Sequence, residues 1–139
     1  MAANTTPIFT KQGNFVPARL VAANTASDGS GTVYTVVTAA VDGTRVDGVR
    51  FRNSQTAAAA SSAMVHRIFL TDTSGLNPRL IGEVATATAT RSTTAIGATS
   101  IFTFDQPIIM KSGQLMTVCQ SVYASAADQF DATAFAGDY

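Results

Sequence analysis

The sequence predicts an all-β protein, a single-domain eight-stranded antiparallel jelly-roll sandwich with an extended N-terminal arm. Stretches rich in Val, Ile, Phe, Tyr and Thr recur along the whole chain, and these residue types suit a pleated, half-buried surface. Turn-forming residues separate the stretches, and no amphipathic run of about 12 residues lies between them. Strands at this spacing without intervening helices are typical of antiparallel sandwiches and barrels, and eight of them in one domain favour a jelly roll.

The eight expected strands cover most of the chain. They lie near residues 14–23, 32–39, 44–53, 63–72, 79–88, 100–110, 114–123 and 128–136. The expected turns contain glycine, which supplies the positive φ that tight turns need. They are Asp28-Gly29, Asp42-Gly43, Asp47-Gly48, Ser74-Gly75 and Lys111-Ser112-Gly113.

The first dozen residues differ from the rest, because they carry Pro7 and no alternation of apolar positions precedes Phe15. We therefore expect residues 1–12 to form an extended arm that a partner orders, and residues 13–139 to form the jelly-roll domain. Two later stretches also break the strand pattern. Residues 57–62 fit either one or two helical turns or a flexible loop of small residues, and the second half of 85–100 is expected to be an exposed loop.

Two hairpins can be drawn in register. In the first, 64–71 pairs with 79–86 so that Thr71 faces Arg79. This register places Arg67 opposite Glu83, the single glutamate of the chain, as a cross-strand ion pair that contributes about 0.2–1 kcal/mol.

The second expected hairpin joins 107–110 to 114–118 across the Lys111-Ser112-Gly113 turn. Pro107 has no N–H to donate to a neighbouring strand. Its strand is therefore expected to begin there or to lie at a sheet edge.

The charge balance argues against two classes of partner. The 139 residues carry nine Lys or Arg and nine Asp or Glu, a formal net charge of zero, and charged residues are 13% of the chain against about 25% in an average soluble domain. A general electrostatic grip on nucleic acid or on an anionic membrane needs a cationic excess, so neither partner is expected. A weakly charged surface favours association, which indicates a protein that works packed against something else.

The N-terminal residues lack the basic and apolar regions of a signal peptide, and no apolar run approaches the roughly 20 residues that span a bilayer. Synthesis in a reducing cytosol is therefore expected. Cys119 is the single cysteine and cannot form an internal disulfide.

No pattern for catalysis, a metal or a cofactor is found in the sequence. His66 is the single histidine and shares a strand face with Met64, Ile68 and Leu70, which indicates a core or interface residue rather than a ligand or a general base. Cys119 has no local catalytic signature, so it is expected to be a small buried hydrophobe rather than a nucleophile. The motifs of a nucleophile elbow and of a phosphate-binding loop are missing.

Arg45, Arg50 and Arg52 form the densest positive region. The simplest interpretation is a solvated strand face. The functional interpretation is a contact with carboxylates of a partner protein, which the bidentate guanidinium suits. Nucleic acid is disfavoured because Asp42 and Asp47 offset the positive charge.

Eight short segments follow one another along nearly the full chain. They are Thr6-Pro7-Ile8-Phe9-Thr10-Lys11, Ala22-Ala23-Asn24-Thr25, Asp28-Gly29-Ser30-Gly31-Thr32, Gly43-Thr44-Arg45-Val46-Asp47-Gly48-Val49-Arg50, Arg67-Ile68-Phe69-Leu70, Glu83-Val84, Pro107-Ile108-Ile109 and Ala136-Gly137-Asp138-Tyr139. In this order the segments resemble the small capsid cement (decoration) proteins of short-tailed bacteriophages.

The resemblance implies a jelly-roll protein on the outer surface of the virion, synthesised in the cytoplasm of a bacterial host. It would bridge neighbouring major capsid proteins as a symmetric homodimer, without catalysis, cofactor or metal. The partner-binding residues are then expected in the arm, the arginine cluster and the C-terminal segment. They are Pro7, Ile8, Phe9, Arg45, Arg50, Arg52 and Tyr139.

Two other classes of protein remain open from the sequence. The first is a head-fibre or tail-associated carbohydrate-binding β-sandwich module, which would present aromatic and carboxylate groups; Tyr34, Tyr123 and Tyr139 are the tyrosines available. The second is a small enzyme of the cupin type, which normally needs several metal-binding histidines. The single His66 weighs against it.

Overall fold

The structure is a computed structural model that describes residues 10–56 and 58–139. The candidate contacts Pro7, Ile8 and Phe9, and with them most of the expected arm, lie outside the described residues. At the end of the expected arm, the backbone N–H of Lys11 donates to the carbonyl oxygen of Asp138 at 2.6 Å.

The all-β prediction is confirmed. The described residues form nine strands and one short 3-10 turn, Ala126–Asp128. The strands are β1 (Gln12–Gly13), β2 (Ala18–Leu20), β3 (Tyr34–Thr38), β4 (Thr44–Asn53), β5 (Met64–Leu70), β6 (Arg79–Thr86), β7 (Thr99–Met110), β8 (Leu115–Gln120) and β9 (Phe130–Asp138). The first expected strand, 14–23, is therefore shorter and is preceded by the separate pair of residues in β1.

Two antiparallel sheets face each other. The five-stranded sheet has the order β1-β9-β4-β7, with β2 also paired to β9, and the four-stranded sheet has the order β3-β8-β5-β6. The core lies between them. Its large inward-facing side chains include Phe51 and Phe130 from the first sheet and Ile68, Met116 and Val118 from the second, all without exposed surface.

The first expected hairpin is confirmed at its centre and shifted at its turn. Arg67 faces Glu83 across β5 and β6, and the Arg67 Nε donates to the Glu83 Oε1 at 2.8 Å. Towards the turn a bulge leaves Ile81 without a partner, so Arg79 pairs with Leu70 and not with Thr71. A strict alternation could not reveal this extra residue, because the adjacent Leu80 and Ile81 are both apolar.

The second expected hairpin is wrong. Met110, at the end of β7, pairs with Thr44 in the five-stranded sheet, whereas Leu115, at the start of β8, pairs with Thr38 in the four-stranded sheet. The chain crosses from one sheet to the other between them. The expectation for Pro107 is confirmed, since β7 lies at the edge of its sheet.

The irregular stretches are loops within the described residues. Residues 58–63 contain no helical turn, and residues 87–98 contain no strand. Asp128 holds the first loop in place, because its carboxylate accepts from the backbone N–H of Ser62 at 2.6 Å and from that of Ala124 at 2.8 Å.

Candidate functional site

The outer face of the four-stranded sheet is covered by the chain itself. The β2–β3 connection lies over it, where the Arg67 guanidinium donates to the carbonyl oxygens of Asn24 and Thr25 at 3.4 and 3.3 Å. Beneath this connection Cys119 and Phe69 have no exposed surface, although both side chains point away from the core. This face is therefore closed to a partner over its centre.

The outer face of the five-stranded sheet, here called the open face, has outward side chains that reach solvent. On β7, Ile101 and Ile109 are 52% and 54% exposed, and on β9, Phe135 is 39% exposed. Arg45 and Arg52 on β4 are exposed as well. The open face is the broad surface of the described chain on which a flat partner could pack.

A bulge in β4 sets the composition of the open face. Val46 pairs with Ala136 and Gly48 with Phe135, so Asp47 is an extra residue on β4. In an uninterrupted strand, Arg45 would point to the opposite side from Arg50 and Arg52. The bulge reverses the alternation, and all three arginines of the predicted cluster point outward.

Glycine is required at this bulge. A Cβ on Gly48 would overlap the carbonyl oxygen of Phe102 on the neighbouring strand β7. The Asp47-Gly48 sequence, expected from its composition to form a turn, thus lies inside a ten-residue strand. Aspartate and glycine favour turns and bulges alike, because both relax the backbone geometry of a regular strand.

The open face has two shallow depressions. The aromatic depression lies beside Phe15, Phe135 and Tyr139, with Arg45 and Asp47 on its rim. The arginine depression lies at the other end of β4. Four of the residues that line it are arginines, Arg19, Arg50, Arg52 and Arg91.

The chain has no net charge, but most of its cationic residues line the two depressions. Six of its nine cationic residues line them, against two of its nine carboxylates, Asp47 and Asp131. The rest of the chain is left with three cations and seven carboxylates. The six cationic residues are Lys11, Arg19, Arg45, Arg50, Arg52 and Arg91.

Two of these arginines already have carboxylate partners. The Arg45 Nη2 lies 2.7 Å from the Asp47 Oδ1, and this hydrogen bond raises the pKa of the Arg45 guanidinium. The Arg19 Nε lies 3.1 Å from the Asp131 Oδ1. Within the described residues, neither Arg50 nor Arg52 forms a salt bridge.

The structure brings together four of the seven residues expected to bind a partner. Arg45, Arg50 and Arg52 share the open face, and Tyr139 lines the same depression as Arg45. Sequence reasoning missed Arg19 and Arg91, which come from β2 and from the loop before β7. Their separation along the chain left no local pattern by which to find them.

The titratable groups singled out from the sequence are buried. His66 packs in the core against Phe51 and Phe130, and burial lowers its pKa to about 3. Burial raises the pKa of the Cys119 thiol, although the nearby Arg67 opposes this shift. Both residues are thus buried, as expected, His66 in the core and Cys119 beneath the β2–β3 connection.

Within 10–56 and 58–139, no three His, Cys, Asp or Glu side chains are grouped so that they could hold a metal ion. No helix in this part of the chain has the length and apolar character needed to cross a bilayer. Comparison of the chain with models of protein families, with curated proteins and with solved structures found no significant match.

Proposed function

We propose that this chain is a capsid cement (decoration) protein, which binds the outside of a bacteriophage head and bridges neighbouring major capsid proteins to stabilise the shell. The proposal starts from the resemblance of its sequence segments to that family. The single structural observation that carries it is the open face, a broad charged sheet surface that the β2–β3 connection leaves uncovered.

The strand order supports the jelly-roll part of the proposal. Strands β2-β9-β4-β7 face strands β3-β8-β5-β6, and consecutive strands from β2 to β9 alternate between the sheets except at the β5–β6 hairpin. Two interlocked Greek keys of eight strands would have an order of this kind. In this interpretation β1 is a short addition to the edge of β9.

The mechanism requires binding alone. Capsid subunits under the internal pressure of packaged DNA separate at their shared edges, and a protein bound across such an edge stabilises the closed arrangement by its binding free energy. A specific contact of this kind buries about 1,600 Å² in total. Because the contact is repeated over the whole shell, modest individual affinities add up through multivalency.

A homodimer on the outer surface of the virion, made in the bacterial cytoplasm, completes the proposal. Two copies related by a two-fold axis would present two open faces and so engage two capsid subunits at once. The dimer interface would then use a surface other than the open face.

The test is decoration of bare heads. Heads of the phage that encodes this chain, assembled without it, are mixed with the purified protein and separated by sedimentation. We expect the protein to sediment with bare heads and not with heads that already carry it, and cryo-electron microscopy should place it on the outer surface. Decorated heads should also survive heating better than bare heads. A protein that stays in the supernatant with bare heads would contradict the proposal.

A carbohydrate-binding module is the second candidate, because the aromatic depression places Phe15 and Phe135 beside the Asp47 carboxylate and Arg45. Aromatic rings that stack on sugars, next to charged groups that bind hydroxyls, are typical of such modules. A glycan array distinguishes the two functions. Selective binding of one glycan class, lost in Phe135→Ala, would favour the module over the cement protein.

A further inference from the structure

We propose that the arginine depression is a docking site for an extended acidic segment of the partner protein, with carboxylates at alternate positions. The inference rests on the proposed function, which identifies the partner that supplies this segment as the major capsid protein. Beyond the proposed function, the inference names the chemistry of the contact and the residues of this chain that make it.

The depression has more positive charge than its own carboxylates can neutralise. Four guanidinium groups line it, with Asp131 as the single carboxylate, and Asp131 is occupied by Arg19 at 3.1 Å. Arg52 is next to Asp131 in the strand register but lies outside salt-bridge distance of it. The guanidiniums of Arg50 and Arg52 are therefore the ones left to bind an external anion.

The loop before β7 adds a fourth guanidinium to the same place. The Arg91 Nη1 donates to the carbonyl oxygen of Asn53 at 3.1 Å, which holds the side chain against the end of β4. One of its other N–H groups can serve a ligand, since a guanidinium carries five. Strand β4 and this loop thus line one depression from two sides.

The spacing of Arg50 and Arg52 indicates the shape of the ligand. They are two residues apart on one strand, so their side chains leave the sheet about 6.8 Å apart. An extended peptide repeats its own outward side chains at the same interval. Carboxylates at alternate positions of such a peptide can each meet one guanidinium in a bidentate pair.

The charge on the remainder of the chain favours a short acidic segment over nucleic acid. Outside the two depressions the chain has seven carboxylates and three cations. A polyanion longer than the open face would meet an excess of carboxylates beyond that face, five of which are not buried. A short acidic segment of a protein ends before it reaches those carboxylates.

The binding test uses a short synthetic peptide in which Glu alternates with Thr, and the same peptide with Gln in place of Glu. We expect the wild-type protein to bind the Glu peptide, with an affinity that falls as salt is added, and to bind the Gln peptide at least about tenfold more weakly. Arg50→Ala and Arg52→Ala should each weaken binding of the Glu peptide about tenfold. Arg50→Lys should lie between Arg50→Ala and the wild type, because lysine keeps the charge and loses the fork.

Two matched control variants test whether the peptide binds at the arginine depression. Arg45→Ala, on the same strand but paired with Asp47, should change the affinity by less than about fivefold. Arg79→Ala, on the four-stranded sheet, should leave it unchanged. Equal affinities for the Glu and Gln peptides, or wild-type affinity in both Arg50→Ala and Arg52→Ala, would overturn the inference. So would binding of short duplex DNA through Arg50 and Arg52 when the Glu peptide is not bound.

Measuring how well the same variants decorate bare heads tests this inference independently of the proposed function. If the wild type decorates heads and the Arg50 and Arg52 variants decorate them equally well, the docking site is wrong and the cement function stands. If the wild type ignores heads but binds the Glu peptide through these arginines, the cement function is wrong and the acidic ligand stands.

Discussion

The imidazole of His66 is stacked on the ring of Phe51, with the ring centroids 4.3 Å apart and the planes inclined by 7°. The ring of Phe130 also contacts the imidazole, with the centroids 4.8 Å apart and the planes inclined by 58°. Within the described residues, neither ring nitrogen has a hydrogen-bond partner. The histidine thus lies in the core as a neutral aromatic ring.

We expect this burial to make the stability of the fold depend on pH. The folded protein holds His66 neutral down to a pKa of about 3, whereas the unfolded chain takes up a proton near the ordinary value of 6.5. The contribution of the neutral, buried His66 to the free energy of unfolding is complete above pH 6.5. Between pH 6.5 and 3 the free energy of unfolding decreases by about 1.4 kcal/mol for each pH unit. Denaturant unfolding at several pH values between about 7.5 and 5 measures this slope.

His66→Leu is the matched variant for that measurement. It keeps an apolar side chain in the core and removes the titration, so the free energy of unfolding should become nearly independent of pH over this range. Parallel losses of stability in the variant and the wild type would assign the slope to other groups.

Gly48→Ala should destabilise the fold and disturb the open face. The added Cβ overlaps the carbonyl oxygen of Phe102, so β4 and β7 must separate locally, at a cost of about 1–3 kcal/mol. Gly13→Ala is the control, because a Cβ there makes only an ordinary contact of 3.4 Å with the Phe15 ring. Thermal unfolding of both variants tests this, and an equal shift in the two would show that the bulge tolerates a side chain.

Asp128→Ala should loosen two loops together. Its carboxylate accepts hydrogen bonds from Ser62 and Ala124, which belong to different connections, and these bonds lower the pKa of Asp128 although burial opposes them. Removing a buried acceptor of two backbone N–H groups costs about 3 kcal/mol. Amide exchange should rise at both Ser62 and Ala124. Asp28→Ala, at an exposed turn, provides the comparison, and protected amides in Asp128→Ala would refute the bracing role.

Cys119 should be unreactive in the folded protein. It has no exposed surface, and burial raises the pKa of its thiol. A thiol reagent such as a nitrobenzoate disulfide should label it only as fast as the β2–β3 connection opens, and rapidly in denaturant. Labelling of the native protein at the rate of the denatured chain would mean that the connection does not shield this position.

The strands were predictable where alternation was regular, whereas their partners were predictable only for the β5–β6 hairpin. Strand β4 has the expected bounds, 44–53, because polar and apolar residues alternate there on both sides of Gly48. The apolar residues at the ends of β7 and β8 show that Met110 and Met116 are buried, but burial does not show which sheet a strand joins. A turn of the same length can close a hairpin or cross between sheets.

The arginine cluster, too, could be identified from local sequence, but its arrangement at the site could not. Local spacing identified Arg45, Arg50 and Arg52, and the resemblance suggested Tyr139. The shared orientation of the three arginines depends on one extra residue in β4, Asp47, whose effect appears only when the strand is paired. Arg19 and Arg91 join them through the β2–β9 pairing and a loop, which are long-range relationships.

The uneven distribution of charge has a consequence for the approach to a partner. A molecule whose cations line one face and whose carboxylates lie mostly elsewhere has no net charge but does have a dipole moment. The electric field of a negative surface orients the molecule with its open face towards that surface before contact, which raises the fraction of productive collisions. Its association rate with such a surface is therefore expected to fall with ionic strength as that of a basic protein does, even at the pH where the chain has no net charge.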